Sequence, residues 1–75
     1  MKTPYYKVRS SIVFTETNKI TEWKFTDCET ASNWYSKVCK HYIFEKWEGY
    51  VELLKIDYSM YGISHMQLIK RFTQK

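Results

Sequence analysis

TDCETASNWYSKVCKHYIFEKW, Thr26 to Trp47, is the stretch whose reading decides the fold. At about 100° per residue, Ala31, Trp34, Tyr35, Val38 and Tyr42 fall within one arc of roughly 100°, while Ser32, Asn33, Ser36, Lys37 and Lys40 point elsewhere. That periodicity predicts an amphipathic α-helix. Thr26 and Glu29 have the spacing of a capping box, in which hydroxyl and carboxylate each satisfy a free backbone N–H, and Asp27 is a competing N-cap. At the other end Ile43 and Phe44 leave the stripe. Gly49 is one expected stop, and closure near His41 with an irregular connection over 42–48 is the other. A stripe this wide and aromatic is suited to lying across a sheet.

The flanking segments supply that sheet. Tyr5 to Thr15 is rich in β-branched and aromatic residues and alternates. Tyr6, Val8, Ile12 and Phe14 share one face, with Ser10 as an exception, and Tyr5, Lys7, Arg9, Ser11 and Val13 share the other. Residues 16–19 read as a polar turn, since Asn18 tolerates the left-handed conformation tight hairpins need. Ile20 to Phe25 returns, with Thr21, Trp23 and Phe25 toward the helix and Ile20, Glu22 and Lys24 away. After the helix, Tyr50 to Tyr58 is a third strand of ambiguous pattern: Leu54, Ile56 and Tyr58 share one face, Val51 and Leu53 the other. A bulge near Leu53, or burial of both faces, reconciles the two sets. Residues 59–62 read as a turn and Ile63 to Phe72 as the fourth strand. The expected fold is α+β: a single domain over residues 1–75, in ββαββ order, with a four-stranded, mostly antiparallel sheet and one amphipathic helix on one face.

The tail has a rival reading. Tyr61-Gly62-Ile63-Ser64, followed by Leu68 and the basic pair Lys70-Arg71, resembles the turn and recognition helix of helix-turn-helix proteins. The likeness covers about twenty residues. It departs from that pattern at Tyr58, where a small residue belongs, and at Asp57, where an apolar one belongs.

With 75 residues the chain allows one thin core, partly offset by 19% aromatic residues. No apolar run exceeds three residues, so no membrane span is expected, and no signal peptide is expected at the N-terminus. A cytoplasmic setting follows as the default. Cys28 and Cys39 lie eleven residues apart, roughly 16 Å along a helix, which is too far for a disulfide. The net charge of +4 is unevenly spread: Lys2, Lys7 and Arg9 precede any acid, and Lys70, Arg71 and Lys75 follow the last one.

Five chemistries are open to these residue types. Cys28, Cys39, His41 and His65 do not converge on a tetrahedral metal site, because Cys39 and His41 diverge by roughly 200° on a helix. The same divergence separates Cys39 from His41 as nucleophile and base, and no glycine turn suggests an oxyanion hole. Glu45, Glu48 and Glu52 lie among lysines and read as a solvated face. No catalytic residue, metal or cofactor is therefore expected. A nucleic-acid or nucleotide site is the alternative function, with Tyr5, Lys7, Arg9, Lys24 and Arg71 on an exposed basic and aromatic sheet face. The leading expectation is a protein interface: Val51, Leu53, Ile63 and Ile69 fall on the face the helix leaves open. In size and Lys-, Tyr- and Ile-rich composition the chain is similar to small phage and mobile-element accessory proteins. That association of composition favours stoichiometric binding to a protein partner, which it inhibits or redirects. The shortness of the chain and the sheet face that one helix leaves open add the expectation of a homodimer.

Overall fold

The computed structural model describes residues 3–13 and 17–75. The expected positions of Phe14, Thr15 and Glu16 lie outside the described residues. The elements follow in the expected order: β1 (Tyr5–Val13), β2 (Asn18–Phe25), α1 (Cys28–Glu45), β3 (Gly49–Tyr58) and β4 (Ser64–Gln74). They build a single four-stranded sheet in the order β2-β1-β3-β4, and every neighbouring pair is antiparallel. The helix thus carries the chain over β1, from one side of it to the other.

Asp27, not Thr26, caps the helix. Its carboxylate accepts from the Thr30 N–H and from the Thr30 hydroxyl, both at 2.8 Å. These two bonds, the backbone one first, hold the Asp27 carboxyl below its ordinary range. At the far end the chain turns at Lys46, which takes the left-handed conformation (φ 58°, ψ 41°), so the stop comes three residues before Gly49. The N–H of Trp47 then reaches back to the Tyr42 carbonyl at 3.0 Å. Gln74, the last residue of β4, donates its side-chain amide to the same carbonyl and to that of Trp47, each at 2.8 Å. The helix end is thereby tied to the far edge of the sheet.

The core lies between the helix stripe and one sheet face. Ala31, Val38 and Tyr42 pack on Val8, Val51 and Leu53, all buried. The expected stripe residues Trp34 and Tyr35 are half-buried at its border. The helix crosses the sheet obliquely. Near its start Trp34 meets Trp23 of β2 edge-on at 5.5 Å, and near its end Tyr42 meets Phe72 of β4 at 6.3 Å. Ser10, the apparent break in the apolar pattern of β1, is the residue Tyr42 needs: its hydroxyl lies 2.7 Å from the phenol oxygen. The phenol in turn donates to the Tyr50 carbonyl at 3.3 Å, so its oxygen accepts from Ser10.

Two expectations about the second hairpin are corrected. The third strand has the opposite facing: Val51 and Leu53 are fully buried beneath the helix, while Leu54 and Ile56 lie on the helix-free face. The reason is pairing with β1, whose helix-side Val8 and Ser10 stand opposite Leu53 and Val51. Residues 59–72 contain no recognition helix. Ser59 closes a turn by accepting from the N–H groups of Tyr61 and Ile63, Gly62 takes a positive φ of 81°, and Ser64 begins a strand. The irregularity expected near Leu53 is present, but the additional residue is on β4: Leu53 pairs with Lys70 and Leu54 with Leu68, leaving Ile69 over. This slip puts Phe72 on the helix side although Leu68 and Met66 are on the other.

Gly49 is needed for a close approach. Its φ is 140°, and a Cβ there would stand 1.9 Å from the Ser11 carbonyl oxygen. Gly49→Ala is expected to cost about 3 kcal/mol or more, combining backbone strain with overpacking, enough to leave much of a domain this small unfolded. Urea denaturation followed by tryptophan fluorescence checks it; a midpoint within error of wild type would contradict this account of the strand start.

Candidate functional site

The helix-free face of the sheet gathers the residues expected to bind nucleic acid. Tyr5, Lys7 and Arg9 of β1 alternate onto it, Lys24 joins from β2 and Arg71 from β4. What composition did not show is the row of acids between them. Arg9 stands opposite Glu22 on one side and Glu52 on the other, and Glu52 stands opposite Arg71. Read across β2, β1, β3 and β4, the row is Glu22, Arg9, Glu52, Arg71, alternating in sign. Arg9 Nε lies 2.8 Å from Glu22, with Lys7 Nζ at 3.5 Å from the same oxygen. The Glu52 carboxylate takes Arg9 at 3.9 Å and Arg71 at 4.0 Å.

The aromatic groups of this face are engaged as well. Lys24 Nζ sits 5.2 Å from the centre of the Tyr5 ring, and the Arg71 guanidinium lies 4.9 Å from that of Tyr50. The five residues are thus brought together as expected, but Glu22 and Glu52 take up the charges of Lys7, Arg9 and Arg71, and the Tyr5 ring is covered by Lys24. Reversing Lys7 and Arg9 removes structural ion pairs along with positive charge, so lost retention on nucleic acid would not by itself report phosphate contact.

Of the residues expected at a protein interface, Val51 and Leu53 are in the core and unavailable. Ile63, before β4, and Ile69, at the bulge, are exposed. The apolar surface of the helix-free face is centred elsewhere. Leu54 is flanked by Lys7 and Leu68, and Ile56 by Tyr5 and Met66. Leu54 and Ile56 are nearly dry, at 3% and 4% exposure, although no second layer covers them. Met66 and Leu68 form the open margin of this cluster at 56% and 49%, and Met60, Tyr61 and Ile63 of the adjoining turn are exposed as well. Alternation from Leu54 was the available signal, hidden because Leu53 beside it is also apolar.

The candidates for chemistry are dispersed. Cys28 is an exposed free thiol at the helix start, Cys39 a half-buried one whose pKa burial pushes upward, and His65 is on β4. Burial, with Cys39 beside it, pushes the Tyr35 phenol up to about 12. Among the described residues no group of three or more His, Cys, Asp or Glu side chains is placed to hold a metal ion, and no helix is long and apolar enough to cross a membrane. Comparison with family models, with curated proteins and with solved structures finds no match to this chain.

The charged row makes a pH prediction. Arg9, first through its hydrogen bond and then with Lys7 through charge, holds the Glu22 carboxyl below its ordinary 4.5. A carboxyl depressed in the folded state contributes stability that is present above its unfolded value and lost as pH falls through the folded one. Wild type is therefore expected to lose more thermal stability than Glu22→Gln between about pH 6 and about pH 3. The difference is small, because these groups are partly solvated. Parallel melting curves of the two proteins would refute the pairing.

Proposed function

We propose that the protein is a non-catalytic binding protein acting stoichiometrically on protein partners through the helix-free face of the β3–β4 hairpin, with a second copy of itself as the first partner. The observation that carries this reading is the apolar cluster around Leu54 and Ile56, with Met66 and Leu68 open beside it and Met60, Tyr61 and Ile63 beyond. Exposed apolar surface of this continuity is characteristic of association sites. β4 favours the same face as an edge strand, since residues 64–71 are all exposed and one side of its backbone has no neighbouring strand. Two copies meeting by a two-fold axis would cover the cluster on both chains at once.

The mode of action that fits is capture of a host protein or complex, as the composition suggests for accessory inhibitors. Two unpaired thiols accord with a reducing, cytoplasmic setting. Nucleic-acid binding is the less favoured alternative, because Glu22 and Glu52 already neutralise Arg9 and Arg71. Salt separates the readings: phosphate contacts weaken steeply as salt rises, whereas an apolar interface changes little.

Light scattering coupled to size exclusion is expected to give about twice 9.2 kDa for the wild type at roughly 100 μM. Leu68→Asp is expected to give a folded monomer, because Leu68 is half-exposed in this chain and its loss leaves the core intact. A wild-type monomer mass at that concentration would contradict self-association through this face.

A further inference from the structure

The two edges of the sheet are unlike. β2, at one edge, is 8 residues long and spaces charge along itself at Lys19, Glu22 and Lys24. β4, at the other, is 11 residues long, and from Ser64 to Ile69 it carries no acid, lysine, arginine or proline. Residues 64–71 are all exposed. Charges spaced along a strand, prolines and covering segments ordinarily keep an edge from pairing with another chain. The first half of β4 has none of these, and Lys70 and Arg71 come only after the bulge at Ile69.

Two hydrogen bonds set which backbone groups of β4 are open. The Val13 N–H donates to the Glu48 carbonyl at 2.9 Å, and the Ser59 N–H to the Ile63 carbonyl at 2.8 Å. Alternation along the antiparallel ladders from either bond gives the same result: His65 and Gln67 bond to Asp57 and Lys55 of β3. Ser64, Met66 and Leu68 therefore turn their N–H and C=O groups outward, to the place of a fifth strand. The side chains of Met66 and Leu68 stand on the helix-free face, where they are the open margin of a cluster whose Leu54 and Ile56 are already nearly dry. A second sheet stacked on that face would add little cover to Leu54 and Ile56 and would bury the charged row of Glu22, Arg9, Glu52 and Arg71. A strand laid along β4 covers the part that is open.

We infer that a second copy pairs along this edge, β4 against β4 and antiparallel, about a two-fold axis at Gln67. The inference rests on the self-association proposed above and specifies its geometry. Met66 then stands opposite the partner's Leu68, and Leu68 opposite the partner's Met66, and each pair exchanges both of its backbone hydrogen bonds. Lys70 falls opposite Ser64 and Arg71 opposite Ile63, so like charges are kept apart. An axis at Met66 sets Leu68 against Ser64 instead, and an axis at Leu68 sets Met66 against Lys70. The product is one sheet of twice the width, with both helices on one side and the two apolar clusters joined on the other.

Cross-linking across the axis tests it. Gln67→Cys, in a Cys28→Ser background, is treated with oxidised glutathione at roughly 100 μM protein. The paired positions lie at a Cα separation of about 4.5 Å, within disulfide reach, and the expected main product is a covalent dimer. His65→Cys in the same background is the control: its two copies are four residues out of register, about 13 Å apart, and give less than about a fifth of that yield. In a face-stacked dimer position 67 is on the helix side, away from the contact, and does not cross-link. A dimer mass in light scattering with no disulfide from Gln67→Cys therefore overturns the edge pairing and leaves self-association standing, whereas a monomer mass overturns both. Equal yields at the two positions overturn the register. Amide hydrogen exchange on the wild type gives a second readout free of substitution. The Met66 and Leu68 amides are expected to exchange at least about ten-fold more slowly than those of Glu22 and Lys24, which the same alternation turns outward on β2. Equally fast exchange at the two edges would overturn the pairing.

Discussion

The hydrogen bond between the Ser10 hydroxyl and the Tyr42 phenol, 2.7 Å long and buried, is the constraint on which the remaining geometry depends. A tyrosine in the middle of a thin core is costly unless its hydroxyl is satisfied. Satisfying it requires a small polar residue on the central strand, directly beneath. Ser10 provides both the space and the donor, and the phenol passes the bond on to the Tyr50 carbonyl of β3. The other end of the same residue is equally committed, since the Tyr42 carbonyl receives Trp47 and Gln74. One residue therefore fixes the height of the helix over β1, its distance along β3 and the docking of the β4 terminus. Burial pushes the pKa of the phenol up while its bond to Ser10 opposes that rise, so the group remains a neutral donor through the physiological range.

Because the helix is anchored at that end, it leaves the other end of the second hairpin bare. The helix-side residues there are polar, with Lys55 and Asp57 4.0 Å apart. The apolar character of β3 accordingly changes sides, from Val51 and Leu53 under the helix to Leu54 and Ile56 on the opposite face. The bulge at Ile69 accompanies this change on β4 and turns Met66 and Leu68 toward the newly apolar face. The same sheet thus has two surfaces of different character: a self-neutralised charged row at mid-strand, and an apolar cluster near the hairpin turn. The binding proposal follows from the second; the first argues against a general affinity for phosphate.

Much of this was legible in the chain. The 3.6-residue period of the helix stripe, the alternation of β1 and β2 and the turn at 59–62 needed no tertiary knowledge, and they led to the correct ββαββ order. Ser10 could be seen as an exception, but not as the partner of a phenol 32 residues away. The facing of β3 was not legible. Adjacent apolar residues at 53 and 54 fit either parity, and only pairing with Val8 decides between them. The charged row was hidden for a related reason: Glu22 and Glu52 are unremarkable until the register sets both opposite Arg9. The basic pair Lys70-Arg71 resembled a recognition helix only while its strand partners were unknown.

A double-mutant cycle on Ser10→Ala and Tyr42→Phe tests the central constraint most directly. If the two hydroxyls depend on each other, Tyr42→Phe strands the Ser10 hydroxyl, Ser10→Ala leaves the phenol only its bond to the Tyr50 carbonyl, and each change costs about 1–3 kcal/mol in urea denaturation. The double variant then costs little more than either single one, giving a coupling of about 1 kcal/mol or more. Effects that add to within about 0.3 kcal/mol would show that the phenol and the serine act independently, and the helix would then have to be held over the sheet by apolar packing alone.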